Sequence, residues 1–286
     1  MSYLNKNILI YIHMFPFWFA QYMTAHNKTY STDHAHIALQ RLTRAKAVVD
    51  RHVPTSYTLA LNARSDADYA HTPWALPDAS PHRVRRLSAV PDAFDWREYM
   101  DFSPSVDQGS CNACFAFAAG GVLEYWAHKL NKTVSVQHLV DCTPNPCAGG
   151  IVDKIFDWGG PYGVDTPYDG HKHKCTEQGD LHVEDYQVLI GDVEDQLTHA
   201  LLQSPVAVGV DSAGSHYLHY SGGVLTSDAC NKEIDHAMLL VGYTPDYWIL
   251  KNSYGADWGE NGYLKLERNK NACGIDTYAT YVTEAV

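Results

Sequence analysis

At 286 residues, 45 % of them hydrophobic, the chain is long enough for one or two domains with a sizeable core, and its net charge of −12 argues against nucleic acid as a partner because no basic stripe balances a phosphate backbone. Charge is uneven: residues 1–88 hold ten Lys and Arg against five Asp and no Glu, while residues 89–286 hold eleven against 28 acids. Two parts of opposite sign attract. The seven cysteines are an odd number, so three pairs in a secreted or lysosomal protein leave one free thiol.

Residues 1–15 carry Lys6 and a short apolar run, Ile8 to Ile12. That run is too short to span a bilayer and reads as a leader or its remnant, although no small-x-small cleavage site follows cleanly. No other stretch reads as a transmembrane helix, so no membrane partner is expected. Residues 16–88 form a second unit. Phe17, Trp18, Phe19 and Tyr22 precede a helical pattern over 34–53 built on Ile37, Leu39, Leu42 and Ala45, which Pro54 breaks. Thr55 to Asn62 alternates as a short strand. Over 71–81 periodicity gives way to a Pro- and Ala-rich linker, ending in the basic run Arg83-Val-Arg-Arg86, a candidate processing site.

The third unit, 89–286, opens near Val90. Its first half, to about Asp185, is read as helices over 114–130, 136–141 and 151–158 with Gly/Pro-rich loops. The second half is read as strands over 205–210, 236–243, 247–251, 262–267 and 278–282. The expected fold is therefore α+β, a helical lobe packed on a β lobe with a cleft between them.

Within this unit the stretch Gln108-Gly-Ser-Cys-Asn-Ala-Cys114-Phe-Ala-Phe117 sets Cys114 in the first turn of a helix. Free amides and the helix dipole there favour a thiolate, so a lowered thiol pKa and a nucleophile are expected. A Cys-x-x-Cys pair alone also fits a zinc ribbon, a redox dithiol or a disulfide framework. Zinc is disfavoured because no second ligand pair follows, and redox because no βαβ strand leads in. Asp235-His236-Ala237 heads an apolar strand, where a lone His is by default a core residue. Asn252 ends the next strand, and an Asn oxygen can hold an imidazole in one tautomer. Together with Cys114 these supply a nucleophile, a base and an orienting group.

These motifs in this order resemble the papain and cathepsin L family of cysteine proteases from about Phe17 onward: QGSCNACFAF, SVQHLVDC, CAGG, DHAMLLVGY and KNSYGADWGENGY. The resemblance implies a two-lobed fold whose β lobe is an antiparallel barrel-like sheet, preceded by a helical inhibitory propeptide over 16–88. It makes Cys114 the nucleophile, His236 its base, Asn252 the orienting residue and Gln108 an oxyanion donor. It places substrate at Gly149, Gly150, Ile151, Val152, Gly209, Ile234, Asp235, Ala237 and Tyr278, with Trp258 on the leaving-group side, and favours an apolar or aromatic residue two positions before the cut. It pairs Cys111 with Cys147, Cys142 with Cys175 and Cys230 with Cys273, leaving Cys114 free.

The implied protein is a monomeric endopeptidase made as a zymogen. It acts on protein and peptide substrates, is held by its own propeptide, needs no cofactor or metal, and resides in a secreted or lysosomal/endosomal, oxidising compartment. The alternative is a relative of this fold that acts as a binding or interaction protein. Asn27 and Asn131 head tripeptides that accept N-glycans. Three positions depart from the family pattern: Asn112 stands for Gly, Phe115 for Trp and Tyr254 for Trp. Asn112 is expected to tolerate a positive φ, and Tyr254 to cover the Asn252 to His236 bond less completely than an indole. In the N-terminal segment, Arg64 stands where the family places Phe.

Overall fold

The computed structural model describes residues 15–67, 89–163, 166–176 and 178–286, with Trp74, Leu76, Val84, Arg86 and Leu87 between the first two ranges. The leader expected over 1–15 lies outside the described residues except for Phe15, as do most of the 71–81 linker and residues 83 and 85 of the basic run. No described helix is long and apolar enough to cross a membrane.

The N-terminal segment folds as α1 (Phe17–Ala25) and α2 (Thr32–Arg51), followed by a three-residue strand β1 (Tyr57–Leu59). Ser31 caps α2 by accepting the His34 N–H, which satisfies one of the amides that a helix start leaves without a partner. Phe19, Tyr22 and Met23 of α1 pack on Ala35, Ala38 and Leu42 of α2 as a separate small core. Asp66 closes this unit by accepting from Lys28 Nζ at 3.1 Å, Tyr22 Oη at 3.1 Å and the Tyr30 hydroxyl.

In the remainder, β2 (Phe94–Asp95) leads to the long buried helix α3 (Cys114–Leu130), then α4 (Val136–Cys142) and α5 (Asp153–Trp158). Strand β3 (Val183–Ile190), helix α6 (Glu194–Leu201), β4 (Val206–Val210), the short α7 (Ser215–Leu218) and β5 (Tyr220–Leu225) follow. Strands β6 (His236–Tyr243), β7 (Tyr247–Lys251), β8 (Tyr263–Glu267) and β9 (Tyr278–Ala285) complete the chain. Strands β3 and β5 and helix α6 were not expected. β3 begins with exposed Glu184 and Asp185, and Gly222 and Gly223 dilute the β signal of β5.

The described strands run β1-β5-β8-β7-β6-β4-β9-β3, with β2 paired to the end of β6. The barrel-like, antiparallel expectation is corrected on two counts. The sheet stays open, because its end strands β1 and β3 do not pair, and β5 runs parallel to β8. Every residue of β6 is buried, with α3 packed along it. That contact brings the start of α3 to the start of β6 and joins the helical and β halves.

The N-terminal segment is built into this sheet. Tyr57 pairs with Gly223 and Thr58 with Gly222, so β1 extends the edge at β5. Three disulfides, Cys111 to Cys147, Cys142 to Cys175 and Cys230 to Cys273, leave Cys114 as the free cysteine. A redox dithiol of Cys111 and Cys114 is thereby excluded.

Candidate active site

Cys114 is the first residue of α3, and its thiol is 5 % exposed. Burial pushes the thiol up to about 11, while hydrogen bonds from the backbone of Ala237 and Phe115 pull in the opposite direction. Desolvation thus opposes the lowering expected from the helix start. The charged sulfur gains from the helix start but loses more by leaving water. The Ala237 contact fixes the sulfur beside the first residues of β6, next to His236.

His236 is buried, and its Nε2 lies 2.8 Å from Asn252 Oδ1. That oxygen also accepts the Ser253 N–H at 2.8 Å, which identifies it as the amide oxygen, so the imidazole must be the donor. Gln108 is buried and doubly held. Ser253 Oγ donates to its Oε1 at 2.6 Å, and its Nε2 donates to the Cys111 carbonyl at 2.9 Å. Cys111 is itself tied to Cys147, so the disulfide, Gln108 and the Asn252-Ser253 turn form one connected frame.

Tyr254 covers this frame. Its ring centroid is 4.9 Å from that of His236, and the residue is 6 % exposed. Arg64 of the N-terminal segment lies over the same ring at 4.0 Å. Arg64 also reaches Asp107 at 2.5 Å. Trp258 is buried beneath, with its Nε1 shared between the carbonyls of Tyr217 and Leu218.

Asn112 is exposed and does not adopt a positive φ, so its tolerance for one is not called on. Gly149 does, at φ 97°, with open space where a Cβ would stand. At Gly150 a Cβ would meet the Phe115 ring at 3.0 Å, so the residue that replaces the family's indole already constrains this glycine.

Of the expected pocket residues, Val152, Gly209, Ile234, Ala237 and Tyr278 are buried and Ile151 is partly so. Asp235 does not face substrate freely, since its Oδ1 accepts both the N–H and the hydroxyl of Ser212. Sequence reasoning missed Asp153, whose buried carboxylate accepts the Tyr278 hydroxyl at 2.9 Å. It also missed Trp74, whose ring meets Tyr278 edge-on at 5.7 Å while its amide donates to Ile234 O at 2.9 Å. No local pattern announces either one.

A helix-borne cysteine, an imidazole on the facing strand and an asparagine holding that imidazole define a thiol-hydrolase type of site. The model of the papain family of cysteine proteases matches residues 90–283. The chain is 38 % identical over 215 residues to a cathepsin L-like protein of Caenorhabditis elegans, covering 67 % of this chain and 64 % of that one. It is 39 % identical over 228 residues to the oryzain gamma chain of Oryza sativa subsp. japonica, covering 71 % and 62 %. It thus spans somewhat less than two thirds of the length of these relatives. Among solved structures, a digestive procathepsin L2 proteinase of Tenebrio molitor larval midgut superposes with a TM-score of 0.81 at 30 % identity, over 92 % of this chain and 98 % of that one. A recombinant stem bromelain precursor gives 0.79 at 27 %, over 93 % and 97 %. The chain belongs to the papain family of cysteine proteases.

Proposed function

We propose that the protein is a cysteine endopeptidase made as a zymogen, with residues 16–88 as its inhibitory propeptide and 89–286 as its catalytic domain. The observation that carries this reading is the His236 Nε2 to Asn252 Oδ1 bond of 2.8 Å, set beside the one free cysteine at the start of α3. With Nε2–H donating to Asn252, the neutral ring keeps its lone pair on Nδ1 for the cysteine proton.

In the reaction, Cys114 Sγ attacks the scissile carbonyl and His236 Nδ1 takes the thiol proton. The oxyanion receives the Cys114 N–H and one Gln108 Nε2–H, since that amide nitrogen has two hydrogens and spends one on Cys111 O. His236 then returns the proton to the leaving amine. Water attacks the resulting thioester through the same base and frees the acid.

An aromatic or apolar residue two positions before the cut is supported by the segment's own Trp74 on Tyr278. The fixing of the Tyr278 hydroxyl by Asp153 makes the ring a permanent wall. Latency is supported by the raised thiol pKa and the buried catalytic groups. The three disulfides fit an oxidising compartment, secreted or lysosomal/endosomal, and the enzyme is read as a monomer acting on protein and peptide substrates.

Acid incubation of the full chain, followed by N-terminal sequencing and a peptidase assay, tests the reading. A new N-terminus near residue 89 and activity blocked by one equivalent of iodoacetamide at Cys114 are expected. Undiminished turnover by Cys114→Ala would overturn the mechanism. A folded, processed chain inert at every pH would instead favour a binding protein.

A further inference from the structure

Arg64 is a deeply placed cation at the contact between the N-terminal segment and the rest of the chain. Its side chain is 4 % exposed. Its Nη1 donates to Asp107 Oδ1 and, at 3.4 Å, to Gly109 O, and its guanidinium carbon lies 4.0 Å from the centre of the Tyr254 ring. Carboxylate, carbonyl and aromatic face all belong to the catalytic part. Contacts within the catalytic part also hold them. The same Asp107 oxygen is oriented by the Gly109 N–H at 2.9 Å, and Asp107 and Tyr254 are bridged through their backbones. Tyr254 is backed by Trp258, with ring centroids 5.7 Å apart and nearly perpendicular.

We propose that Asp107 and Tyr254 form an arginine socket, filled in cis by Arg64 and, once residues 16–88 have left, open to arginine side chains of polypeptide substrates on the side of the cleft bounded by Trp258. Asp107 adjoins Gln108 and Tyr254 follows Asn252 by two residues, so the socket lies beside the catalytic frame. Its chemistry selects arginine over lysine. A planar guanidinium stacks on the ring and points its N–H groups at the carboxylate and carbonyl together, whereas an ammonium is a compact, strongly hydrated point charge without a face to stack. As a substrate subsite the inference rests on the peptidase reading, but the socket itself can be tested without it.

Two arms separate them. In the first, the full chain carrying Arg64→Ala is melted with N-acetylargininamide or its uncharged analogue N-acetylcitrullinamide. The arginine compound is expected to raise Tm by roughly 2–4 °C near saturation, the citrulline compound not at all. The response is expected to vanish in Arg64→Ala/Asp107→Asn, where the asparagine oxygen still accepts the Gly109 N–H. In the second, the unmutated chain is processed in acid and given quenched peptides with Arg, Lys, citrulline or Ala at each of the first three positions after the cut. Arginine at one position is expected to raise kcat/KM about tenfold over citrulline, and Asp107→Asn to erase that ratio between the arginine and citrulline peptides.

Cleavage without arginine preference, together with a flat melting response, overturns the socket and leaves the peptidase standing. An arginine-selective melting shift in a chain that cleaves nothing upholds the socket and removes the peptidase. A preference that survives Asp107→Asn also overturns the proposal. The peptide arm keeps Arg64, so it reads out even where Arg64→Ala does not fold.

Discussion

His236 Nε2 and Asn252 Oδ1 lie 2.8 Å apart, and the same oxygen takes the Ser253 N–H at 2.8 Å. The second bond prevents the amide from presenting its NH2 group to the ring, so the imidazole is held in one tautomer by a neighbour that is itself locked. Asn252→Ala removes both bonds from a buried site. We expect kcat to fall on the order of 10²-fold with KM little changed, as steady-state kinetics on the processed enzyme would read it. A fall in activity carried by KM alone would point to a binding role instead.

Cys114 gives a second prediction. Its thiol is buried and pushed up to about 11 by desolvation, which favours the protonated sulfur. Iodoacetamide should therefore label Cys114 slowly in the intact chain. Removal of the N-terminal segment readmits water and frees the helix start and His236 to stabilise the anion, so labelling should accelerate at least about 100-fold. Equal rates before and after processing would show that the segment does not control the sulfur.

Acid acts on the contact through histidines. His219 is pushed down to about 4 by burial and by neighbouring His216, and it meets Ser65 Oγ at 3.2 Å while its carbonyl takes the Ala60 N–H. His216, bonded to Tyr57 and 5.5 Å from the His52 ring, is also lowered, chiefly by desolvation. A histidine whose folded pKa lies below its ordinary value binds fewer protons when docked. Its contribution is complete above about pH 6.5 and is lost as pH falls toward 4, where it amounts to on the order of 3 kcal/mol for a fully re-exposed His219. Segment release should accelerate across that window, and His219→Gln should shift the release profile to lower pH. An unshifted profile would assign acid release to carboxylates alone.

Gly223 offers a way to loosen the segment from the other side. It has φ 81°, and a Cβ there would stand 2.2 Å from Ser56 O and 2.7 Å from Tyr57 Cα. The positive φ costs Gly223→Ala roughly 1–2 kcal/mol in either form, but the clash exists only while β1 is docked. Limited proteolysis at neutral pH should remove the segment faster from Gly223→Ala than from the parent. Equal protection would mean that β1 contributes little to docking.

Much of this architecture is legible in sequence where chemistry and burial coincide. Cys114 begins a run with helical spacing, His236 heads eight buried residues, and Asn252 directly follows β7, so side-chain type and periodicity point to the same places. Legibility fails where partners are remote. Asp153 and Tyr278 are 125 residues apart and Arg64 and Asp107 43 apart, and each looks like an ordinary surface or core residue by itself. The thiol is misread for a related reason. The helix start is visible locally, but the desolvation that opposes it is a property of the folded surroundings and has no local sequence signal. Likewise nothing near Tyr254 in sequence announces that Arg64 lies over its ring.

The pairing of Tyr57 and Thr58 with Gly223 and Gly222 carries a consequence for the enzyme after activation. When β1 departs, β5 becomes the border of the sheet, and backbone groups that were satisfied inside the molecule turn outward. Such a border can recruit any extended chain. This one is short, and Gly223 carries φ 81° within it, so a straight strand finds little length to zip along. The irregularity that lets the segment dock also leaves a second copy of the chain little straight edge to pair with.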